Sequence, residues 1–386
     1  MLRTKVVIIF WVFFIFIPSC IIPYEPVIAI RDINKYVVSG QVTDNNEIQT
    51  VSVSRASPIS DPAHIEVTGC YISIFDDKGN QFEMQEAEPG IYHTRIDKSY
   101  LTPGTSFKVD IMTPDGINIE SDFDKMSECP EIDTIYFIRK EIPPDLSGRT
   151  VQGLQFYIDL DAGNLTSHFF RWEAIETWEY HVPFAKQWYY DGAVHHISPP
   201  DSSGMVCWST ETVKNIYTLS TEGLTENRYS MLPLHFVDNY SPRLMYGYSL
   251  LINQIALSEA AYSFWDQLRI NNSEQGGLYE KQPLSIAGNL HNNTNPDQEV
   301  LGFFGASSVK SRRIFISHID DIEIHQINYC KQDTLLYGGL RAIFPSEYPA
   351  FLVGNETTYS LIRLSQCCVE CMALGGKNIK PDFWPK

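Results

Sequence analysis

Apolar and polar residues alternate with a period of two through the first third of the chain, a pattern that predicts half-buried β-strands. In the segment 70–75, for example, Cys70, Ile72 and Ile74 share one face of the predicted strand. Residues 35–127 hold seven such strands and two hairpin turns: Tyr36–Val42, Gln49–Arg55, Gly69–Phe75, Gln81–Met84, Gly90–Thr94, Ser106–Met112 and Ile117–Phe123, with turns at Asp76–Asn80 and Thr113–Gly116. Short strands joined by such turns predict an immunoglobulin-like or fibronectin-like β-sandwich.

The alternation continues after residue 127, and a larger β-rich domain is predicted over residues 128–386. Its candidate strands are Glu131–Phe137, Leu154–Leu160, His168–Tyr180, Asn215–Ser220, Leu232–Val237, Tyr246–Ile252, Leu284–Leu290 and Val300–Phe304. Residues 258–270 depart from the period of two and predict one amphipathic helix inserted in this domain. The predicted fold class is therefore mainly β, a β-sandwich followed by a β-rich domain with a single helix.

The predicted helix has a clear start and one apolar face. Ser258 is a good N-cap, and Glu259 places a negative charge at the positive end of the helix dipole. Ala261, Trp265 and Leu268 follow at helical spacing on one side. We expect this face to pack on a sheet with Trp265 as its core anchor. The alternative is a helix that presents Trp265 to a partner protein.

Residues 1–19 have the pattern of a signal peptide. The basic Arg3 and Lys5 precede an apolar run at 6–17 that is too short to span a bilayer comfortably. The sequence Ile-Pro-Ser-Cys at 17–20 resembles a bacterial lipobox, and this implies cleavage before Cys20 and acylation of that cysteine. The alternative is an ordinary secretory signal. Residues 20–34 are then a lipidated tether that holds the folded part away from the membrane.

The charge of the chain excludes one class of partner. The 386 residues carry a formal net charge of −18. An acidic protein repels the phosphate backbone, so nucleic acid is not an expected partner.

The cysteines predict disulfide bonding. Seven cysteines follow Cys20, and an odd number leaves at least one free thiol, for which Cys70 in its strand pattern is the candidate. Cys330 and the cluster Cys367, Cys368 and Cys371 could suggest zinc, but the single Cys-x-x-Cys is not matched by a second one or by a spaced histidine pair. We therefore expect a disulfide between Cys330 and this cluster, and no metal site.

Six aromatic residues form the candidate ligand-binding set: Trp178, Tyr180, Trp188, Tyr189, Tyr190 and Trp208. Flat rings with polar neighbours suit sugars and peptides, which stack on the rings and form hydrogen bonds at their edges. The alternative interpretation is that these rings belong to the core of the β-domain and to a strand edge.

Sequence motifs of common enzymes are absent, including the nucleophile elbow, the zinc-protease motif and the glycine-rich phosphate and dinucleotide loops. Glu173, Glu176 and Glu179 could supply the carboxylate pair of a glycoside hydrolase, but solvated strand carboxylates give the same pattern. The histidines at 195–196 make a poor chelate because neighbours on a strand point to opposite faces. No catalytic residue, metal or cofactor is predicted, and the protein is not expected to be an enzyme.

A series of short motifs resembles a known family, the lipoproteins grouped as domain of unknown function 4249. They are the lipobox with the lead Cys20–Pro26, Tyr36–Gly40, Tyr248–Gln254, Ser258–Trp265, Gln282-Pro283, Gly288-Asn289, Val300–Phe304, Cys368–Cys371, Gly375-Gly376 and Lys380–Trp384. Together these motifs span nearly the whole chain after the lipobox, in a specific order.

The resemblance implies an outer-membrane lipoprotein that is often encoded beside a TonB-dependent transporter. It carries over no catalytic residue. We therefore expect a non-enzymatic accessory or ligand-capture subunit of a TonB-dependent uptake system, with a glycan or peptide as the possible ligand. We expect it on the cell surface rather than the periplasmic face of the outer membrane. The alternatives are an envelope glycan or peptide hydrolase and a structural adhesion or assembly factor.

Overall fold

The computed structural model describes residues 35–57, 62–143, 150–273, 286–317, 319, 322–325, 329–335, 338–355 and 360–385. These residues are mostly in β-strands and form one α-helix, so the predicted mainly β fold is confirmed. The predicted signal peptide, the tether at 20–34 and the lipidation site Cys20 lie outside the described residues. Within the described part, the helix is neither long nor apolar enough to cross a bilayer.

Ten short strands come first: β1 (Tyr36–Thr43), β2 (Ile48–Arg55), β3 (Ile65–Glu66), β4 (Tyr71–Asp76), β5 (Gln81–Glu83), β6 (Gln85–Glu88), β7 (Ile91–Arg95), β8 (Ser106–Met112), β9 (Asn118–Ser121) and β10 (Asp124–Lys125). Eight more follow: β11 (Thr134–Ile142), β12 (Val151–Asp161), β13 (Phe169–His181), β14 (Lys186–Tyr190), β15 (Val194–Asp201), β16 (Val206–Thr212), β17 (Tyr217–Ser220) and β18 (Arg228–Asp238). The last third contains β19 (Gly247–Ala256), α1 (Glu259–Ser273), β20 (Leu290–Asn292), β21 (Leu301–Ser307), β22 (Val309–Ile316), β23 (Gln332–Leu335), β24 (Ala350–Asn355) and β25 (Ser360–Leu364).

The first ten strands build two facing sheets. One sheet has the order β21-β1-β2-β7-β6 with β3 beside β2, and the other has the order β20-β9-β8-β4-β5 with β10 beside β8. The alternation seen in the sequence places one face of each strand inside, where Val38, Val51, Ile74, Phe107 and Ile119 are almost fully buried. This is the predicted sandwich, held by a single apolar core.

Two strands of this sandwich come from far along the chain. β21 pairs in parallel with β1, with Val37 opposite Leu301, and β20 pairs with β9, with Leu290 opposite Ser121. Residues 35–127 therefore do not complete the sandwich alone, since residues 290–307 of the predicted second domain close both sheets. The strand pattern at 300–304 was visible in the sequence, but its pairing partner was not, because periodicity does not specify which strands meet.

Gly302 explains part of this long-range pairing. Its backbone has φ +104°, and a Cβ there would lie 1.9 Å from the carbonyl oxygen of Val38. Only glycine allows β21 to approach β1 this closely in that conformation. Nearby, the side chain of Asn289 donates to the carbonyl of Phe304 at 2.8 Å and accepts from its N–H at 3.0 Å, which closes the edge of β21.

A second pair of sheets follows. β11-β12-β18 form a three-stranded sheet that packs on β16-β13-β19-β22, to which β17 adds beside β13. Phe156 of β12 stacks on Tyr248 of β19 with ring centroids 5.7 Å apart, and Trp172 of β13 is 1% exposed in the same core. β21 runs directly into β22, so the two pairs of sheets share one continuous stretch of chain. At the junction, Asp44 accepts hydrogen bonds from the Ser308 hydroxyl and from the Val309 N–H.

A fifth sheet has the order β15-β14-β24-β25-β23. Its small core includes Phe351, Leu364 and the disulfide between Cys330 and Cys368. Cys330 is thus bonded to Cys368, which belongs to the cysteine cluster at 367–371 predicted as its partner. A second disulfide joins Cys371 to Cys207, a partner outside the predicted set. Cys70, the predicted candidate, is a free thiol, and the described part contains two more, Cys129 and Cys367.

The helix α1 is one residue shorter at its start and three longer at its end than predicted. The Ser258 hydroxyl accepts a hydrogen bond from the Ala261 N–H at 3.1 Å, so it is the N-cap. The anchor differs from the prediction: Phe264 is 8% exposed and stacks on Phe303, whereas Trp265 is only half-buried at the edge of the same cluster. A pattern of apolar spacing does not rank neighbouring aromatics by depth, and here the phenylalanine is the one directed at β21.

Candidate ligand pocket

The six aromatic residues predicted to bind ligand are not one cluster. Trp178 and Tyr180 lie on β13 and are largely buried, at 8% and 7% exposed. Trp208 lies on the neighbouring β16, opposite Glu179 and therefore on the other face of that sheet. The remaining three lie on β14 in a different sheet: Trp188, Tyr189 and Tyr190. The six residues therefore do not form a single aromatic cluster, because they lie on three different strands.

The three aromatics of β14 are occupied by ring contacts within their own sheet. Trp188 stacks on His196 with centroids 4.0 Å apart, and Tyr189 stacks on His195 at 4.6 Å. These histidines lie on β15. Each is used in stacking, and the described residues contain no group of three potential metal ligands. The hairpin of β14 and β15 is held by aromatic pairs across the two strands.

Trp208 packs against the C-terminal segment. Its ring is edge-on to Trp384 with centroids 6.4 Å apart, and its backbone exchanges two hydrogen bonds with Lys377, at 2.8 Å and 2.9 Å. The face of β16 that carries Trp208 is thus covered by residues 377–384. This ring is a docking platform for the chain's own C-terminal segment.

Trp178 and Tyr180, in contrast, form the base of a pocket of about 220 Å³. Its walls come from β13, β16, the turn before β19 and two segments near the C-terminus. The lining residues are Trp178, Tyr180, His181, Ser209, Glu211, Pro242, Met245, Tyr246, Tyr329 and Leu374. Rings therefore meet from several directions at the C-terminal end of β13, and the polar groups at the rim are few. This combination is typical of a site for a small organic ligand.

The base of the pocket is fixed by the C-terminal segment. The Tyr180 hydroxyl donates to the carbonyl oxygen of Cys371 at 2.8 Å and accepts from the N–H of Gly376 at 3.0 Å. A Cβ at Gly376 would lie 2.3 Å from that hydroxyl, so the close approach requires glycine. Burial raises the pKa of Tyr180, which keeps the phenol neutral. The disulfide from Cys207 to Cys371 holds this contact in place, because Cys207 is the direct neighbour of Tyr180 on β16.

The rim holds a stacked pair. His181 lies on the ring of Tyr246 with centroids 3.7 Å apart, and its Nε2 is 2.7 Å from an oxygen of Glu179. These contacts fix the orientation of the imidazole beside the pocket. Tyr329, another lining residue, is 45% exposed. The pocket therefore offers a ligand an oriented histidine and an accessible tyrosine.

A charged network lies beneath the pocket. Glu176, with a side chain 4% exposed, accepts a hydrogen bond from the Tyr248 hydroxyl at 3.0 Å and lies 3.2 Å from Nε of Arg243 and 3.2 Å from His235. Burial, together with the Glu176 charge, raises the pKa of Tyr248 well above its usual range. Arg243 also lies over the ring of Trp178, 4.9 Å from its centroid. The buried carboxylate is thus compensated, and it positions the arginine that supports Trp178.

The three carboxylates considered for hydrolysis do not form a pair. Glu173 is partly exposed and pairs with Arg171, Glu176 is buried, and Glu179 pairs with His181. Glu173 and Glu179 are six residues apart on one strand, about 20 Å at the rise of a β-strand. Paired glycosidase carboxylates are separated by about 5–9.5 Å. These residues therefore do not support the hydrolase alternative.

Sequence reasoning found two of the ten lining residues, Trp178 and Tyr180. It missed Glu211, Tyr246, Tyr329 and Leu374, which come from segments far apart in the chain. A signal was available for one of them, since Tyr246 precedes the Tyr248 motif on which the family resemblance partly rests. Glu211 comes from β16 itself. Tyr329 and Leu374 reach the pocket only because the later part of the chain folds over β13 and β16.

The family model described as Domain of unknown function (DUF4249) matches residues 22–313. The chain belongs to this family. The match extends through β13, α1 and β21, so it includes the base of the pocket, whereas Tyr329 and Leu374 lie beyond it. No curated protein matches the chain.

Two similar solved structures are bacterial alpha-2-macroglobulins. The trypsin-activated protein of Escherichia coli has 10% identity and a TM-score of 0.20, with 88% of this chain and 18% of that chain covered. A mutant of the Salmonella protein has 9% identity and a TM-score of 0.19, with 86% and 16% covered. The chain spans less than a fifth of either protein, and similarity at this level carries no argument about fold or function.

Proposed function

We propose that this protein is a lipid-anchored, non-enzymatic accessory of a TonB-dependent transporter in the outer membrane, where it captures a small glycan or peptide before uptake. The observation that carries the proposal is the aromatic pocket at the C-terminal end of β13, with Trp178 and Tyr180 at its base and Glu211 at its rim. Rings provide stacking area at low entropic cost, and a single carboxylate with an oriented histidine provides hydrogen bonds.

The cellular part of the proposal rests on the amino-terminal sequence and on the family. The lipobox-like segment ending at Cys20 supports an outer-membrane anchor, and the family resemblance supports the transporter as partner. The surface location is the expected orientation, and protease treatment of intact cells tests it. A surface protein is degraded, and a periplasmic one survives until the outer membrane is opened.

The test is growth and cross-linking in the source cells. A strain lacking the protein should grow more slowly when one peptide or glycan mixture is the sole carbon source, and the wild-type chain should restore growth. Tyr246→Ala and Glu211→Gln should restore it poorly. Tyr71→Ala is the matched control, since Tyr71 is 82% exposed on the first sandwich, far from the pocket.

The partner is identified in the same cells. Chemical cross-linking of the wild-type chain and of Tyr246→Ala should yield the same TonB-dependent transporter, because the substitution affects ligand capture and not assembly. If no such transporter is cross-linked, the accessory role is wrong. If the purified protein releases reducing ends or free amino groups from the mixture, the hydrolase alternative replaces it.

A further inference from the structure

We infer that the protein has a second binding site, separate from the aromatic pocket, and that it accepts a neutral carbohydrate. This site is a groove between helix α1 and the outer face of the sheet that contains β1, β2 and β21. Its cavity of about 580 Å³ is more than twice as large as the aromatic pocket. It lies where β21 of the first sandwich continues into β22 of the next layer, and ligand sites favour such junctions.

Both sites use the same strand. Arg171 and Glu173, near the start of β13, line the groove, and Trp178, near its end, lines the aromatic pocket. Trp178 lies seven positions after Arg171, about 23 Å at the rise of a β-strand. None of the described residues lines both cavities. The groove is therefore a distinct site that goes beyond the capture function proposed above.

Two buried polar atoms at the groove have no hydrogen-bond partner among the described residues. Arg171 is 5% exposed, and within the described part of the chain its Nε has no partner, although Nη2 lies 2.7 Å from Glu173 and 3.4 Å from Gln41. Ser307 is 1% exposed, and its Oγ has no partner there either. Buried donors are almost always paired in folded proteins, since an unmade hydrogen bond costs stability. Both side chains line the same cavity, so one ligand with several oxygen acceptors could satisfy both.

The arginine is held in a fixed position. Its guanidinium carbon lies 3.9 Å from the centroid of the Trp265 ring, and Glu173 balances its charge. Burial lowers the pKa of Arg171, while Glu173 acts in the opposite direction, and the guanidinium keeps its proton because its ordinary pKa is so high. The Nε–H is thus a pre-oriented donor. A site with such a donor selects for acceptor atoms at one defined place.

The net charge of the groove argues for a neutral ligand. Among the described residues that line it, Arg171 and Glu173 are the only charged ones, and they neutralise each other. The other polar lining residues are uncharged: Ser39, Gln41, Thr43, Gln49, Thr50, Ser52 and Ser307. A free carboxylate or ammonium group on a ligand would have no unpaired counter-charge in this groove, so ionic ligands are disfavoured.

The backbone of the groove argues for a carbohydrate rather than an extended peptide. β1 is a central strand, paired with β2 on one side and with β21 on the other, so its N–H and C=O groups are used within the sheet. β21 is the edge strand, but the Asn289 side chain bonds both backbone groups of Phe304, and Asp124 accepts from the Ala306 N–H. Peptides that bind as an added strand need a free sheet edge. The groove offers hydroxyl and amide side chains instead, opposite a wall formed by Phe264, Trp265 and Leu268. Hydroxyl groups facing an apolar wall suit a sugar, which has polar edges and an apolar ring face.

The experiment is calorimetric titration of the purified full chain carrying Tyr246→Ala, which impairs the aromatic pocket, with five neutral trisaccharides: maltotriose, cellotriose, xylotriose, mannotriose and N-acetylchitotriose. Trialanine and trigalacturonic acid are the charged comparisons. We expect at least one neutral sugar to bind and the two charged probes to bind at least 10-fold more weakly. If none of the neutral sugars binds, or if a charged probe binds as well as the best sugar, the inference is wrong.

Variants locate the binding. Arg171→Lys keeps the charge beside Glu173 but removes the Nε–H donor, and Ser307→Ala removes the second unpartnered group. Each should weaken sugar binding about 10-fold. Ser311→Ala is the matched control, since its hydroxyl is exposed on β22 and donates to Asn253 at 2.7 Å outside the groove. Because Ser307→Ala deletes a single oxygen, it remains informative even if Arg171→Lys fails to fold. Unchanged affinity in Ser307→Ala and in a folded Arg171→Lys protein would place the sugar elsewhere and overturn the inference.

Discussion

The hydroxyl of Tyr180 donates a hydrogen bond to the backbone carbonyl of Cys371, 191 residues further along the chain, at a distance of 2.8 Å. Cys371 is in turn bonded to Cys207, which lies directly opposite Tyr180 on the neighbouring strand. One strand pair, one disulfide and one hydrogen bond therefore meet at the base of the aromatic pocket. The C-terminal segment acts as a structural wall of this pocket.

The first prediction follows from this arrangement. Replacing Cys207 and Cys371 by serine should lower the unfolding free energy by about 5 kcal/mol, because a disulfide that closes a loop of this length restricts the unfolded chain strongly. The closed loop spans 164 residues. Denaturant unfolding of the purified protein under non-reducing conditions measures the loss. The fluorescence of Trp178 should also move toward that of an exposed indole, since Leu374 no longer covers the rim.

A control separates local from general effects of disulfide removal. Replacing Cys330 and Cys368 by serine removes the disulfide that closes a 38-residue loop at the fifth sheet. By the same entropic argument, the unfolding free energy should fall by about 4 kcal/mol. This replacement should change the Trp178 emission less than the first double variant does, because Cys330 only neighbours the lining residue Tyr329, whereas Cys371 is hydrogen-bonded directly to Tyr180 at the base of the pocket. If both double variants change that emission equally, the C-terminal segment is not the specific wall of the pocket.

The strands of the first sandwich could be predicted because their buried and exposed residues alternate. Ile72 and Ile74 are nearly fully buried, as their spacing indicates. The partner of β1 could not be predicted in the same way. β21 joins it in parallel from 264 residues away, and what permits this is a backbone approach at Gly302 that leaves no trace in hydrophobic periodicity.

The two binding sites likewise contain features that sequence patterns predict and features that they do not. Closeness in sequence suggested one aromatic cluster. Trp178, Trp188 and Trp208 instead lie on three different strands, and each packs against different residues. The groove was not predicted at all. It depends on Arg171, a charged residue within a strand pattern, whose position under Trp265 results from tertiary packing of α1 on the sheets. Single-sequence patterns report local burial, whereas a binding site is an arrangement of distant segments.

The second prediction compares two adjacent residues of α1. Phe264→Ala should destabilise the protein by about 3–4 kcal/mol, because Phe264 is buried and stacked on Phe303. Trp265→Ala should cost only about 1–2 kcal/mol, since that ring is half-buried and loses chiefly its contact with Arg171. Thermal unfolding of both variants beside the parent checks the order. A larger loss for Trp265→Ala would restore the tryptophan as the core anchor.

The third prediction concerns the membrane anchor. Cys20→Ser should release the protein from the outer-membrane fraction, because acylation of that cysteine is the expected attachment. Fractionation of cells that express the parent and the variant, followed by immunoblotting, measures this. Ser19→Ala is a neighbouring control that leaves the acylated atom in place, and it should remain membrane-bound. If Cys20→Ser stays as firmly attached as the parent, lipid anchoring is wrong.

The last prediction concerns pH and a buried carboxyl group. Asp124 is 4% exposed, accepts a hydrogen bond from the Ala306 N–H at 2.8 Å and lies beside the N-cap Ser258. Burial raises its pKa above the ordinary value, and the two hydrogen bonds offset this only partly. Between the ordinary and the raised pKa, the folded protein therefore holds more protons than the unfolded chain. The contribution of Asp124 to stability must then fall as the pH rises through this window, which begins near pH 4.

Asp124→Asn removes the titration but keeps an acceptor oxygen for the Ala306 N–H. The parent should lose stability relative to this variant as the pH increases from about 4, and the difference should level off once Asp124 is ionised in both states. Urea unfolding of both proteins at several values between pH 4 and pH 7 provides the comparison. The difference between the two proteins isolates Asp124 from groups with lowered pKa, such as Asp115 with its pKa of about 2. A difference that stays constant or changes in the opposite direction would show that the Asp124 pKa is not raised in the folded state.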